Sequence, residues 1–145
     1  MKKELTYKLI QDYPILFSSG SRPECGDGWY DIIDGLCDVI THHMLYALPE
    51  EIQSQVTVAQ IKEKFGGLRF YMNHEDDFIN GAITMAEYQS ERTCERCGLA
   101  GTKKNIGGWI STLCDKDEKL RHEEVYQSRM KYEEKQREKK SSTPK

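Results

Sequence analysis

The sequence predicts an α+β fold, with amphipathic helices packed on a β-hairpin or small antiparallel sheet, then a C-terminal zinc-ribbon-like module and a charged helical tail. Three observations carry this reading. Apolar residues recur at helical spacing from Trp29 to Met44, residues 56–72 alternate in the manner of strands around Gly66-Gly67, and Cys94-Glu95-Arg96-Cys97 is followed by Cys114. A chain of 145 residues has room for one ordinary domain plus a small metal module. The expected divisions are an acidic α+β domain over 1–91, a zinc-knuckle module over 92–117, and a charged helical tail over 118–145 that frays at Ser141–Lys145.

Leu5, Tyr7, Leu9, Ile10 and Tyr13 predict a first short helix ended by Pro14. A breaker-rich loop runs from Ser18 to Gly28, where Asp27 is placed to cap the next helix. That helix carries Trp29, Ile32, Ile33, Leu36, Cys37, Ile40 and Met44 on one stripe, with Cys37 an inert buried thiol. Asp34, Asp38 and His42 fall on the opposite side at four-residue spacing and read as a solvated face rather than a metal or acid–base site. Pro49 with Glu50 and Glu51 opens a further short turn.

A turn at Gly66-Gly67 pairs Phe65 with Leu68, Lys64 with Arg69, Glu63 with Phe70 and Lys62 with Tyr71. Ile61, Phe65, Leu68, Phe70 and Met72 then share the apolar face with Glu63, which needs a partner of its own. Lys62, Lys64, Arg69 and Tyr71 share the other face and form a candidate anion site, since Lys64 opposite Arg69 is unfavourable without an intervening negative charge. The competing reading is neutralisation by Glu75, Asp76 and Asp77. Phe78, Ile79, Ala82, Ile83, Ala86 and Tyr88 predict a helix over 76–91 that covers the apolar face of the hairpin. Trp29 and Trp109 both lie on apolar patterns and are expected as core anchors.

Cys94 and Cys97 have the spacing that lets two thiolates reach one ion, and Gly98 permits the tight turn beneath them. A strand over Gly107–Leu113 leads to Cys114, and Asp117 stands where a second Cys-x-x-Cys would end. Zinc is the expected cofactor, because so short a segment needs metal binding to complete its folding. Asp117 is the first candidate for fourth ligand, ahead of His122, with Cys25 or water as further alternatives.

Residues 1–91 hold 7 Lys+Arg against 15 Asp+Glu, a net of −8, while residues 92–145 hold 14 against 9, a net of +5. The acidic part argues against duplex DNA as partner, and Arg92, Arg96, Lys103 and Lys104 alone are a weak nucleic-acid signal. No window approaches a membrane span, and the Met-Lys-Lys-Glu start lacks an export signal, so the expected compartment is a reducing cytoplasm. There is no Ser-His-Asp order, phosphate-cradling glycine loop or metalloprotease helix, so no catalytic residue is assigned.

The segments Gly26-Asp27-Gly28-Trp29-Tyr30, Lys62-Glu63-Lys64-Phe65-Gly66-Gly67-Leu68-Arg69-Phe70-Tyr71, Thr93-Cys94-Glu95-Arg96-Cys97-Gly98 and Trp109-Ile110-Ser111-Thr112-Leu113-Cys114 together resemble a family of small phage and prophage proteins with no assigned activity. The resemblance covers residues 13–117, and its hairpin motif is the specific part. It implies an accessory phage protein of the bacterial host cytoplasm, with a cysteine at the position where Asp117 stands here. The expected partner is a host or phage protein or a nucleotide-type ligand, and antagonism of a host defence is one use. The other readings are a metal-dependent hydrolase with water at the fourth zinc position and a nucleic-acid-binding regulator.

Overall fold

The computed structural model describes residues 1–141; four of the five residues expected to fray, 142–145, lie outside this range. Its order is α1 (Lys3–Asp12), β1 (Pro23–Glu24), a 3-10 turn (Asp27–Trp29), α2 (Tyr30–Ala47), α3 (Glu50–Gln53), β2 (Val58–Lys64), β3 (Gly67–Met72), α4 (Asp77–Ser90), β4 (Thr102–Ile106), β5 (Trp109–Leu113) and α5 (Asp115–Ser141). The class is α+β, with one sheet in the order β1-β2-β3 and a second made of β4 and β5.

The stripe of α2 is buried as its spacing predicts, from Trp29 through Ile33 and Cys37 to Met44. Each fully buried aliphatic side chain stabilises by about 1.5–3 kcal/mol, so this face anchors the core. Leu16 and Phe17, in the turn after α1, join that core although no periodicity marks them. Asp27 does not cap α2. Its Oδ1 accepts from the Lys2 backbone N–H at 2.7 Å and its Oδ2 pairs with Lys2 Nζ, so it ties the N-terminus to the loop instead. The 3-10 turn supplies the helix entry that a side-chain cap would have supplied.

The hairpin exists, but its turn lies one residue earlier than glycine content predicts. Phe65 and Gly66 have φ of 52° and 75°, the two positive values of a type I′ turn. Lys64 therefore faces Gly67, Glu63 faces Leu68, Lys62 faces Arg69 and Ile61 faces Phe70. Sliding by a whole pair preserves the faces, so Ile61, Leu68 and Phe70 are buried as expected, while Phe65 leaves the apolar face and is exposed. Glu63 finds its partner in the turn itself, accepting from the Gly66 N–H at 2.7 Å. β1 adds a short parallel strand, Pro23 facing Ile61 and Glu24 facing Lys62.

α4 is capped by Asp76, which accepts from Ile79 N–H, and it buries Ile79, Ile83 and Ala86 against the hairpin and α2. It also covers the outer edge of β3. Ser90 Oγ accepts from Leu68 N–H at 2.8 Å and Glu87 Oε1 from Phe70 N–H at 3.1 Å, so edge amides that would invite another strand are satisfied.

β4 and β5 turn through Gly107 and Gly108, both at positive φ, and enclose a small second core of Cys94, Ile106 and Leu113 with Cys114 and Val125 at its border. Trp109 is not a core anchor. It begins β5 beside the turn, facing outward, and is 58% exposed. α5 spans 27 residues, about 40 Å at helical rise, and packs on β4 and β5 only near its start. No helix of the described residues is long and apolar enough to cross a membrane.

Candidate metal centre

The Cys94–Gly98 turn is closed by backbone bonds. Gly98 N–H donates to Cys94 O at 2.9 Å and Cys94 N–H donates to Leu99 O at 2.7 Å, with Gly98 at φ 78° where a side chain would be strained. This loop holds Cys94 and Cys97 on one side. β5 delivers Cys114 from the other, and α5 starts immediately after it, so Asp117 in the first helical turn lies three residues on and reaches back over Cys114. The positive end of the helix favours a carboxylate and thiolates there.

The donor atoms of Cys94, Cys97, Cys114 and Asp117 all lie within 4.8 Å of one another, and the four residues could hold a metal ion. Asp117 Oδ2 stands 3.2 Å from Cys94 Sγ and 3.3 Å from Cys114 Sγ, and Cys97 Sγ stands 3.6 Å from Cys114 Sγ. Among the described residues this is the one such group, so His122 and Cys25 drop out as fourth ligands. His122 is exposed on α5, and Cys25 is buried in the main core, where burial pushes its thiol up to about 12. Asp34, Asp38 and His42 form no such group either; Asp34 instead accepts from the Tyr13 hydroxyl at 3.1 Å.

Cys94 is fully buried, Asp117 is 7% exposed, and Cys97 faces solvent. The Leu99 N–H favours the Cys97 thiolate, but the Asp117 carboxylate, burial and the two other thiols outweigh it and push the thiol up to about 12. The Asp117 carboxyl is held below the usual carboxylate range by the Cys97 thiol, then by those of Cys94 and Cys114, against its burial. Four electron-rich donors held this close together are a set that could hold a cation.

The cluster is tied to the main core by the segment before α2. Gly28 N–H donates to Glu95 O at 2.8 Å, Gly26 N–H to Glu95 Oε1 at 2.9 Å, and Trp29 Nε1 to Thr93 O at 2.8 Å. Glu95 is half-buried, and that burial raises its carboxyl. A Cβ on Gly26 would stand 2.2 Å from Glu95 O, so the chains approach at glycine distance. From the other side the Phe65–Gly66 turn abuts β5, where Thr112 Oγ1 donates to Gly66 O, and Lys103 Nζ pairs with Glu91 at 2.8 Å. Residues from all four motif segments thus meet at one junction, a relationship that local patterns could not reveal.

The candidate anion residues lie together on the face of the first sheet opposite its core. Lys62 faces Arg69, replacing the expected Lys64–Arg69 pair, and Lys62 Nζ lies 5.7 Å from the Tyr71 ring centre. Arg69 is partnered by Glu87 at 3.5 Å and not by Glu75, Asp76 or Asp77; Asp76 pairs with His43 at 2.7 Å. Arg96 makes two bonds to Glu124, and Lys104 pairs with Glu118 at 2.9 Å, so much of the charge around the knuckle is satisfied internally. Comparison with family models, with curated proteins and with solved structures finds no match to this chain.

Proposed function

We propose that the four-residue centre holds a structural zinc ion and that the protein is a nonenzymatic binding protein for an anionic partner, of the phage accessory type its motifs resemble. The observation that carries the zinc assignment is the donor set and its spacing. Zinc takes sulfur at about 2.3 Å and carboxylate oxygen at about 2.0–2.2 Å, which makes tetrahedral edges of about 3.5–3.8 Å. Three of the six separations, at 3.2–3.6 Å, lie within a few tenths of those edges, and the others are no longer than 4.8 Å. Three thiolates favour zinc over the harder magnesium and calcium, and Asp117 fills the fourth corner, which favours a closed structural site over a hydrolytic one that keeps water.

The module that zinc would complete is a zinc-ribbon-like hairpin whose own core is three buried side chains. So small a core does not hold two strands and a helix start by burial alone, and metal binding supplies the rest. The anion reading is supported by Lys62, Lys64, Arg69 and Tyr71 sharing one face, with Lys64 and Tyr71 exposed and Lys62 and Arg69 half-buried, and with a host or phage protein or a nucleotide-type ligand as partner. Elemental analysis of protein purified without chelator tests the first part, one zinc per chain being expected. Calorimetry against a nucleotide panel tests the second, with Lys62→Glu and Lys64→Glu expected to abolish the heat. Metal-free folded protein would overturn the zinc assignment, and binding indifferent to both reversals would remove the sheet face from the function.

A further inference from the structure

We infer that this sheet face, with Phe65 at its rim, binds single-stranded nucleic acid. The inference rests on the anion reading and narrows it to an anion that carries flat rings. Phe65 is disfavoured in the free protein on two counts. It occupies φ 52°, where a bulky side chain is rare and asparagine or glycine is the usual choice, and it is 67% exposed. Lys62 directly faces Arg69 across the strands, a like-charge pair. Tyr71 is 43% exposed on the same face.

One ligand chemistry offsets the exposure of the two rings and the Lys62–Arg69 repulsion together, leaving the turn's backbone as it is. Among the described residues neither Lys62 nor Lys64 has a carboxylate partner; their ammonium groups lie 5.7 Å from the Tyr71 ring centre and 5.6 Å from that of Phe65. Each ring so accompanied is a stacking platform beside a phosphate-seeking cation, the pairing that single-strand binders use. Phosphates between Lys62 and Arg69 would remove their repulsion. Glu24 beside Lys62 and Glu87 on Arg69 oppose an anion, so charge alone would not hold the ligand and stacking has to contribute. A duplex keeps its bases stacked internally and cannot use the rings. An acidic peptide offers carboxylates but no bases, which is the distinguishing outcome of the test.

The test is fluorescence anisotropy of the full chain with single-stranded DNA and RNA oligomers of about twelve nucleotides, the matching duplex, and polyglutamate. Saturable binding to a single strand is expected, with a log–log salt slope of about −2 for three engaged charges, lessened by about 0.7 in each of Lys62→Ala and Lys64→Ala. Phe65→Asn and Tyr71→Ala should each weaken it about fivefold or more. Phe65→Asn also relieves the turn, so its melting temperature should rise while its affinity falls, which separates lost stacking from misfolding. Polyglutamate or duplex bound as tightly as the single strand, indifferent to both aromatic substitutions, would overturn the nucleic-acid inference and leave the anion reading standing. Failure to bind any of these probes, with nucleotides still bound in calorimetry, would overturn it too; failure of both would remove the anion reading as well.

Discussion

Gly28 lies so close to Cys94 that a Cβ placed on it would stand 2.2 Å from the Cys94 carbonyl oxygen and 2.4 Å from the Gly98 nitrogen. Both neighbours are backbone, in the turn that presents two of the four donor atoms, and neither can swing aside. Gly28→Ala is therefore expected to push the Cys94–Gly98 turn away from the start of α2. The cost should be about 2–3 kcal/mol, as for overpacking elsewhere, with weaker metal retention. Gly35→Ala is the control: Gly35 lies within α2 with nothing near its Cβ position, and alanine there should stabilise by about 0.5–1 kcal/mol. Denaturant midpoints of the two variants should move in opposite directions.

If the centre holds zinc as proposed, chelating it should unfold the second sheet and leave the first. The main core is continuous from α1 to α4 without any of the four donor residues, whereas Cys94 belongs to the second core itself. Chelation is expected to raise amide exchange across β4 and β5 while β2 and β3 stay protected, as read by exchange mass spectrometry. Rebinding zinc should release protons, because the Cys97 thiol lies at about 12 without the ion and must ionise to ligate. Affinity should accordingly rise with pH, and equal affinity at pH 6 and pH 8 would contradict thiolate ligation.

The elements that were legible in the sequence are those whose reason is local. The α2 stripe follows from a 3.6-residue period, and the Cys94–Cys97 pair from ligand spacing. Asp117 follows from standing where a second Cys-x-x-Cys would end. The turn position is not legible locally, because Phe65-Gly66 and Gly66-Gly67 compete and glycine content favours the second. Contacts decided otherwise: Gly66 is pressed against Ile110 and Ser111, and a Cβ on Gly67 would come within 3.2–3.3 Å of Arg69 and Glu91 side-chain atoms. β4 gave no signal because Thr-Lys-Lys-Asn-Ile buries one side chain, Ile106, in a core too small for alternation. The tight packing at Gly26 and Gly28 is invisible locally, since what they touch is Cys94–Gly98, far along the chain.

The His43–Asp76 contact makes an acid-side prediction. Burial would raise the Asp76 carboxyl, but bonds from Ile79 N–H, His43 and Phe78 N–H outweigh it and hold the group below its usual range. A carboxyl lower in the folded state than in the unfolded one stabilises the fold when ionised. That contribution is complete above the unfolded value of about 3.9 and is lost as pH falls from there through the lower folded value. Asp76→Asn keeps the cap of α4 and should flatten this part of the stability–pH curve. Asp76→Ala also loses the cap, at about 1 kcal/mol. Parallel curves for wild type and Asp76→Asn between pH 5 and pH 2 would show that the carboxylate contributes nothing.

On the proposed zinc assignment Asp117 closes the centre, and its two substitutions should diverge. Asp117→Cys places a fourth sulfur on the helix turn that now holds the carboxylate, three residues from Cys114, and replaces an oxygen donor by a softer one that zinc prefers. Zinc should be retained more tightly against a competing chelator, and cobalt in its place should show stronger sulfur-to-metal absorption. Asp117→Ala removes a ligand outright. The loss of affinity should exceed the roughly 10–100-fold typical of losing an outer-shell partner, and water should enter the cobalt coordination sphere. Asp117 is nearly fully buried beside Cys94, so the alanine variant also opens the small core and should melt earlier even when saturated with metal. Equal zinc retention by wild type and Asp117→Ala would mean that the carboxylate is only a neighbour of the thiolates, and the hydrolytic reading of an open zinc position would then regain its footing.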